Sequence, residues 1–335
     1  MSERIARLGS GSAPEGQTAA QTPGQTTAAE LVDRVVASLA TAVHAPRDTL
    51  RLPVLALLAE GHVLVEDVPG VGKTMLAKAL ARSLDLRFAR VQFTPDLLPS
   101  DVTGASVFDQ PTGSFRFRPG PVFANVVLVD EVNRASPRTQ SALLEAMQES
   151  QVTVDGATYP LDGPFLVIAT QNPLEYEGTY PLPEAQLDRF AVRMSIGYPA
   201  LAEEARMLAE QTTDPPLDGL QAVAGREAVL AAIEAVRSVF VEESLSRYVV
   251  ALLRHTRGNG ALALGASPRA GIALLRLAKA YAVAERRDYV LPDDVRAVAL
   301  PVLTHRLLLG PEARTRGVGA EDVIAEALAA TPTPL

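Results

Sequence analysis

Short apolar runs alternate with segments of helical periodicity along the chain up to Pro199. The runs, each a candidate strand, lie at His62–Glu66, Phe88–Phe93, Val126–Val129, Phe165–Ala169 and Ala191–Ile196. Continuous apolar runs separated by helices are typical of a parallel sheet that is buried on both faces. The pattern therefore predicts an α/β fold built on a parallel sheet.

The strand signal fades after Pro199, and helical periodicity dominates the rest of the chain. The predicted helices there are Glu203–Gln211, Glu227–Phe240, Leu245–Arg257, Pro268–Arg287 and Pro292–Arg306. We therefore predict an α/β domain over residues 28–199, followed by a smaller, all-helical domain over residues 200–335.

The first residues of the chain show neither pattern. Residues 9–29 are Gly, Ser, Ala, Pro, Gln and Thr, interrupted only by Glu15. Such a composition buries too little apolar surface to offset the entropy lost on ordering, so we predict a disordered leader over residues 1–27. Order is expected to begin near Thr27, which forms a capping-box pattern with Glu30.

Two insertions interrupt the strand–helix alternation. Residues 94–121 are rich in Pro, Gly, Asp and Ser and have little periodicity. Residues 151–160 carry two short strand-like segments around Asp155 and Gly156, a pair that favours a two-residue β-turn. The second insertion is therefore predicted to be a β-hairpin.

Composition and charge narrow the class of protein. The chain has 335 residues, 47% of them apolar, a net charge of −8 and no cysteine. These values exclude a disulfide framework and zinc–thiolate chemistry, and the acidic balance argues against a broad nucleic-acid-binding face. No apolar run reaches the ~18 residues of a membrane span, and the N-terminus lacks the apolar core of a signal peptide. We therefore expect a cytoplasmic protein.

The strongest chemical signal follows the first predicted strand. The sequence DVPGVGKT (67–74) matches the phosphate-binding pattern GxxxxGK[ST], and it lies between a strand and a helix as that pattern requires. In this reading Lys73 binds the β- and γ-phosphates and Thr74 ligates Mg²⁺. Asp67 replaces the first glycine of the pattern, so its carboxylate is expected to face away from the phosphates. The residues assigned to nucleotide binding are Pro69, Gly70, Val71, Gly72, Lys73, Thr74 and Met75.

A second motif, VVLVDE (126–131), places two carboxylates at the end of a buried strand. Ligands of open α/β sheets bind at the carboxyl ends of the strands. Asp130 is therefore predicted to hold Mg²⁺ together with Thr74, and Glu131 to act as the general base that activates water. The alternative, a solvated strand end, does not explain why the pair follows a phosphate loop.

Five ordered motifs give the chain a family resemblance. They are EDVPGVGKT (66–74), LVDEVNRA (128–135), ATQNP (169–173), LPEAQLDRF (182–190) and SPRA (267–270). With these motifs the chain resembles the AAA+ ATPases, and among them the MoxR family of the helix-2-insert clade, over about residues 30–310. The resemblance implies ATP as substrate, Mg²⁺ as cofactor and a helical lid over residues 200–335.

The resemblance also implies roles for three further residues. Asn172 corresponds to sensor 1, which orients the lytic water, although an asparagine that caps a turn is the simpler interpretation. Arg189 corresponds to the arginine finger that reaches the γ-phosphate in a neighbouring subunit; a surface arginine paired with Asp188 is the alternative. Arg269 corresponds to sensor 2, which contacts nucleotide from the lid, or else it is a surface arginine in the first turn of a helix.

An arginine finger supplied by a neighbour implies a homo-oligomer, and for this family a hexameric ring. The two insertions would then line or flank the central pore. In the first of them, Phe115 and Phe117 alternate with Arg116 and Arg118, which fits either a half-buried hairpin edge or a surface that engages a polypeptide or nucleic acid.

The resemblance implies a chaperone-like motor that remodels, or inserts metal into, a protein partner, in this family often one with a von Willebrand factor A domain. Two alternatives stay open. One is a nucleic-acid motor subunit, and the other is a nucleotide-gated scaffold that hydrolyses little ATP.

Overall fold

The computed structural model describes residues 23–172, 180–198, 204 and 217–334. Its strands are β1 (Val63–Glu66), β2 (Phe88–Gln92), β3 (Gly104–Asp109), β4 (Ser114–Pro119), β5 (Val126–Asp130), β6 (Gln151–Val154), β7 (Ala157–Pro160), β8 (Leu166–Gln171), β9 (Val192–Met194), β10 (Leu262–Leu264) and β11 (Leu308–Leu309). Its helices are α1 (Pro23–Ala42), α2 (Arg47–Leu58), α3 (Lys73–Ser83), α4 (Pro99–Thr103), α5 (Pro137–Glu149), α6 (Glu184–Leu187), α7 (Arg226–Ser238), α8 (Glu243–Gly258), α9 (Pro268–Ala284), α10 (Pro292–Leu303), α11 (Pro311–Thr315) and α12 (Ala320–Ala330).

The first described element begins earlier than the sequence predicts. Helix α1 starts at Pro23, so Thr27 lies inside the helix rather than at its cap. Proline is compatible with the first helical turn because the N–H that it lacks has no intrahelical partner there. Of the predicted leader, residues 1–22 lie outside the described residues.

Five parallel strands form the central sheet, in the order β2-β5-β8-β1-β9. All five residues of the internal strand β5 are buried. This arrangement confirms the predicted α/β class with a parallel sheet. Because the strands are parallel, the carboxyl ends of β1, β5 and β8 lie along one edge of the sheet, and their amino ends lie along the other.

Alternate residues of the sheet strands enter two different apolar cores. Val126 and Leu128 of β5 belong to a core shared with α1, α2, α3 and the C-terminal helices. Val127 and Val129 face the other side and pack with residues of α5. This alternation is the period of two that a strand imposes, and it explains why β5 reads as a continuous apolar run.

A hairpin forms at each of the two insertions. In the first, the short helix α4 leads into the antiparallel pair β3–β4. In the second, β6 and β7 pair around Asp155 and Gly156, both of which have positive φ. Positive φ at both central residues is the requirement of a type I′ turn, which the Asp-Gly pair meets.

The C-terminal region is helical, as predicted, but it also contains a two-stranded antiparallel sheet, β10–β11. Strands of three and two residues are too short to produce a recognisable alternation. The predicted helix Glu203–Gln211 and the boundary at residues 199–200 lie outside the described residues, apart from Glu204. No helix of the described part of the chain is long and apolar enough to cross a membrane.

The helical region shares its apolar core with the α/β region. Residues of α1 and α2 and residues of α7, α9 and α10 belong to the same buried cluster. Ion pairs join the surfaces of these elements: Arg51 contacts Glu285 at 2.6 Å, and Arg286 contacts Asp33 at 3.4 Å. The two predicted domains therefore pack against each other through α1 and α2 on one side and α7, α9 and α10 on the other.

Candidate functional site

The loop between β1 and α3 carries the predicted phosphate-binding residues, with Pro69 exposed at its surface. Gly70 and Gly72 have positive φ angles of +88° and +98°, which glycine adopts without steric cost. The first i→i−4 bond of α3 runs from the Leu76 N–H to the Gly72 carbonyl (2.9 Å). The N–H groups of the three residues before Leu76 precede that bond and lie at the positive end of the helix dipole. The loop therefore offers backbone donors to an anion.

Two side chains at the start of α3 have groups suited to ATP and Mg²⁺. Lys73 is half-buried and donates from Nζ to the Asp67 carbonyl oxygen at 2.6 Å. Thr74 is half-buried in the first turn of α3. Val71 and Met75 pack instead against the apolar core, so these two residues contribute through their backbone.

Asp67 is buried, and its carboxylate faces the chain that follows β9. It accepts hydrogen bonds from the N–H groups of Ile196 and Gly197. The carboxylate is therefore occupied on the side of β9, in agreement with the expectation that it faces away from bound phosphates.

Asp130 lies buried at the carboxyl end of β5. Its Oδ2 accepts from Nε of Arg90 at 2.6 Å, and its Oδ1 accepts from the Thr170 hydroxyl at 3.3 Å. The Arg90 side chain is 51% exposed, so the cation can leave Asp130 without disturbing the core. The Asp130 carboxylate, which is predicted to be a metal ligand, thus already binds one cation, the Arg90 guanidinium.

Glu131 follows Asp130 with φ +56°, an uncommon backbone conformation for a residue other than glycine. Its N–H donates to the Thr170 hydroxyl at 3.0 Å. Its Oε2 accepts from Nε2 of Gln92 at 2.8 Å and lies 3.1 Å from Nε of Arg134. A hydrogen bond from β2 and an ion pair with the turn that follows therefore define the orientation of this carboxylate.

Four residues around these carboxylates were not predicted from the sequence: Arg90, Gln92, Arg134 and Thr170. Gln92 pairs with Asp130 in the β2–β5 register, and β8 brings Thr170 alongside. Polar residues at alternate positions of the predicted strand Phe88–Phe93 were the available signal. That signal becomes informative only when β2 is known to lie beside β5.

Asn172 directly follows β8, which lies between the strand of the carboxylates and the strand of the phosphate loop. Its side chain is largely buried, with 9% exposure. Lys73, Asp130, Glu131 and Asn172 therefore lie along the same edge of the sheet. This is the arrangement that their predicted roles require.

Arg189 lies at the opposite edge of the sheet. It precedes β9, and two residues later the Ala191 N–H donates to the carbonyl of His62 at 2.9 Å. His62 comes before β1, whereas the phosphate loop comes after it. A strand of four residues such as β1 spans about 13 Å. Arg189 is therefore at the far end of β1 from Lys73.

Arg269 lies near Arg189. Burial, and next the positive charge of Arg269, lower the pKa of the Arg189 guanidinium. The Arg189 Nε is buried without a hydrogen-bond partner among the described residues. Asp188, the alternative partner of Arg189, instead accepts from the Ser267 hydroxyl and from Nε of Arg306, both at 2.8 Å. The bond from Ser267 joins the two motifs that carry Arg189 and Arg269.

The two hairpins pack against each other through aromatic rings. The ring of Phe117 stacks on Tyr159, with centroids 3.9 Å apart and planes at 15°. Phe117 also contacts Phe123 edge-on at 5.5 Å. The base of the first hairpin is therefore half-buried, as one of the two sequence interpretations expects.

The outer part of the β3–β4 hairpin is exposed and carries both apolar and cationic groups. Phe108 and Phe115 contact each other edge-on at 5.4 Å, yet they are 51% and 74% exposed. The strand register places Arg116 and Arg118 on the other face, where both are exposed. This surface fits the second interpretation, a surface that engages a macromolecule.

Comparison with known proteins agrees with this architecture. The family described as "ATPase family associated with various cellular activities (AAA)" matches residues 62–192, and the AAA lid domain matches residues 254–327. An uncharacterized protein of Bacillus subtilis, YeaC, is 51% identical over 86% of this chain and 90% of its own length. Chaperone MoxR1 of Mycobacterium tuberculosis is 42% identical over 84% of this chain and 76% of its own length.

A crystal structure from Cytophaga hutchinsonii, described as that of a candidate ATPase, superimposes with a TM-score of 0.86. It is 39% identical in sequence, and the match covers 93% of this chain and 97% of that chain. The similarity therefore extends over both the α/β region and the helical region.

Proposed function

Because the chain belongs to the MoxR family of AAA+ ATPases, we propose that it is a ring-forming motor whose ATP sites are each shared by two copies. The chain is an ATPase with the family's α/β domain and helical lid. We further propose that the ring is hexameric, that hydrolysis depends on Mg²⁺ and that the motor acts on a protein partner in the cytoplasm.

One observation supports an ATP site that is shared between two copies. Arg189 and Arg269 lie together at the edge of the sheet opposite the phosphate loop, about 13 Å away along β1. A guanidinium at that edge cannot neutralise the γ-phosphate bound at Lys73 of its own chain. Both arginines are therefore assigned to the ATP of the next subunit, where they would stabilise charge in the transition state.

The remaining groups would act within one copy. The loop backbone and Lys73 bind the phosphates, and Glu131 accepts a proton from the attacking water while Asn172 orients that water. The Thr74 hydroxyl and the Asp130 carboxylate suit Mg²⁺, since oxygen ligands are what this ion prefers, and Asp130 Oδ2 already faces a cation. When bound there, Mg²⁺ would neutralise negative charge on the phosphates.

Replacing Arg90 with alanine is expected to lower the Mg²⁺ concentration needed for half-maximal turnover by about fivefold. The Arg90–Asp130 ion pair is half-exposed, so its removal frees the metal ligand by about 1 kcal/mol at most. Turnover is measured against buffered free Mg²⁺ at saturating ATP. Arg87→Ala, in an exposed pair with Asp162, is the control. An unchanged or higher Mg²⁺ requirement contradicts the placement of the metal at Asp130.

Replacing Lys73 with alanine tests the proposed nucleotide site. Loss of a charged donor to phosphate is expected to weaken ATP binding by about 30-fold, equivalent to about 2 kcal/mol. Binding is measured by titration with a fluorescent ATP analogue. Lys78→Ala removes an exposed lysine of the same helix and is expected to bind ATP normally. Equal affinity of the two variants would place the nucleotide elsewhere.

The exposed surface of the β3–β4 hairpin supports a polypeptide as the partner. Phe108 and Phe115 offer apolar area, and Arg116 and Arg118 offer charge on the other face. The name of Chaperone MoxR1 agrees with a remodelling role. We propose that the partner is a protein. Proteins with a von Willebrand factor A domain are the first candidates to test as partners, and metal insertion is the first activity to test. A nucleic-acid motor is disfavoured by the net charge of −8.

A further inference from the structure

Asp67 occupies the first position of the phosphate loop, where the general pattern has glycine, and its carboxylate accepts four hydrogen bonds. Oδ2 accepts from the Ser195 hydroxyl (3.0 Å), the Ile196 N–H (2.7 Å) and the Gly197 N–H (2.8 Å). Oδ1 accepts from the Val68 N–H (3.0 Å). The side chain is buried, with 7% exposure, so these donors have no ready replacement partner in water.

Both backbone groups of Asp67, the carbonyl oxygen and the N–H, are also hydrogen-bonded. Its carbonyl oxygen accepts from Nζ of Lys73 at 2.6 Å, and its N–H donates to the carbonyl of Gln171 at 3.3 Å. Gln171 is the neighbour of Asn172. Asp67 therefore joins the phosphate-binding lysine, the end of β8 and the chain after β9 in one network.

We propose that Asp67 is a positioning residue for ATP. Its carboxylate ties the start of the phosphate loop to residues 195–197, which fixes the loop and the carbonyl oxygen that accepts from the Lys73 ammonium. A loop fixed in this way holds its backbone donors and Lys73 in place for the phosphates of ATP. The inference rests on the proposed nucleotide site, and it assigns Asp67 no contact with ATP.

The test is Asp67→Gly, which completes the general GxxxxGK[ST] pattern. If the pattern alone were sufficient, this variant would bind ATP as well as the wild type. We expect instead that KM for ATP rises about tenfold while kcat stays within about twofold, because the loop is less well ordered but the groups of the reaction remain. Saturating ATP is expected to raise Tm less in the variant than in the wild type.

A purely structural role gives a different result: Tm falls, but KM and the Tm increase on ATP addition stay unchanged, and this overturns the proposal. Ser195→Ala removes one donor and keeps the carboxylate, so its KM is expected to stay within about twofold. If Asp67→Gly does not fold, KM for ATP is measured on Asp67→Asn instead. The asparagine side chain has one oxygen, which can accept either from residues 195–197 or from the Val68 N–H, but not from both. KM for ATP should therefore rise about threefold, and a wild-type KM overturns the proposal.

Lys73→Ala, measured in parallel, separates this inference from the proposed site. If Lys73→Ala loses ATP binding and Asp67→Gly does not, only the role of Asp67 is wrong. If neither variant changes ATP binding, the nucleotide site itself is wrong.

Discussion

Glu131→Gln is expected to slow ATP turnover by about 10²–10⁴-fold, the contribution of a well-placed general base. Glutamine keeps the size of the side chain and an oxygen that can accept from Gln92, but it cannot take a proton from water. ATP affinity should remain within about twofold, since the groups that bind phosphate are unchanged. Turnover is measured by phosphate release, and affinity by titration with a fluorescent ATP analogue.

The control is Glu227→Gln, which removes one exposed carboxylate from α7 and should turn over ATP at the wild-type rate. Turnover by Glu131→Gln at the level of this control would show that another group activates the water. A wild-type rate that is itself no higher than that of Glu131→Gln would favour the nucleotide-gated scaffold.

Arg189→Ala is expected to reduce turnover by about 10³–10⁵-fold, the range found for arginine fingers in phosphoryl transfer. In the structure, Nε of this residue is buried without a hydrogen-bond partner among the described residues, and Arg269 lies nearby. Turnover per subunit is measured against protein concentration. The wild-type value should rise to a plateau as copies associate, and the variant should stay low throughout.

Arg316→Ala, which removes an exposed arginine after α11, is the matched control and should follow the wild-type curve. Specific activity that does not depend on concentration, together with full activity of Arg189→Ala, would mean that each chain completes its own site. In that case Arg189 would not be an arginine finger.

The edge of the sheet that carries Lys73, Asp130, Glu131 and Asn172 was predictable. Asp130, Glu131 and Asn172 come at or just after the ends of apolar runs, and Lys73 ends the loop that follows another such run. Parallel strands bring their carboxyl ends together, so sequence order alone brings these four residues to one edge. The continuous apolar run of β5 and the Asp-Gly turn between β6 and β7 are likewise local features. They are visible without knowledge of which elements are neighbours.

The features that were missed depend on such neighbours. Arg90 contacts Asp130 only because β2 lies beside β5, which no local pattern reveals. The proximity of Arg189 and Arg269 depends on how the helical region docks, and the bond between Asp188 and Ser267 spans 79 positions. Strands as short as β10 and β11 have no detectable period. The sequence therefore predicts the chemistry of each motif better than the contacts between motifs.

The shared site is tested most directly by combining two inactive variants. Glu131→Gln and Arg189→Ala are co-expressed with different tags, and mixed assemblies are isolated through both tags before turnover is measured. With random arrangement, about a quarter of the interfaces pair an intact Glu131 with an intact Arg189 from the next copy, so about a quarter of wild-type turnover should return. Turnover no higher than that of the separate variants would contradict a site shared between copies.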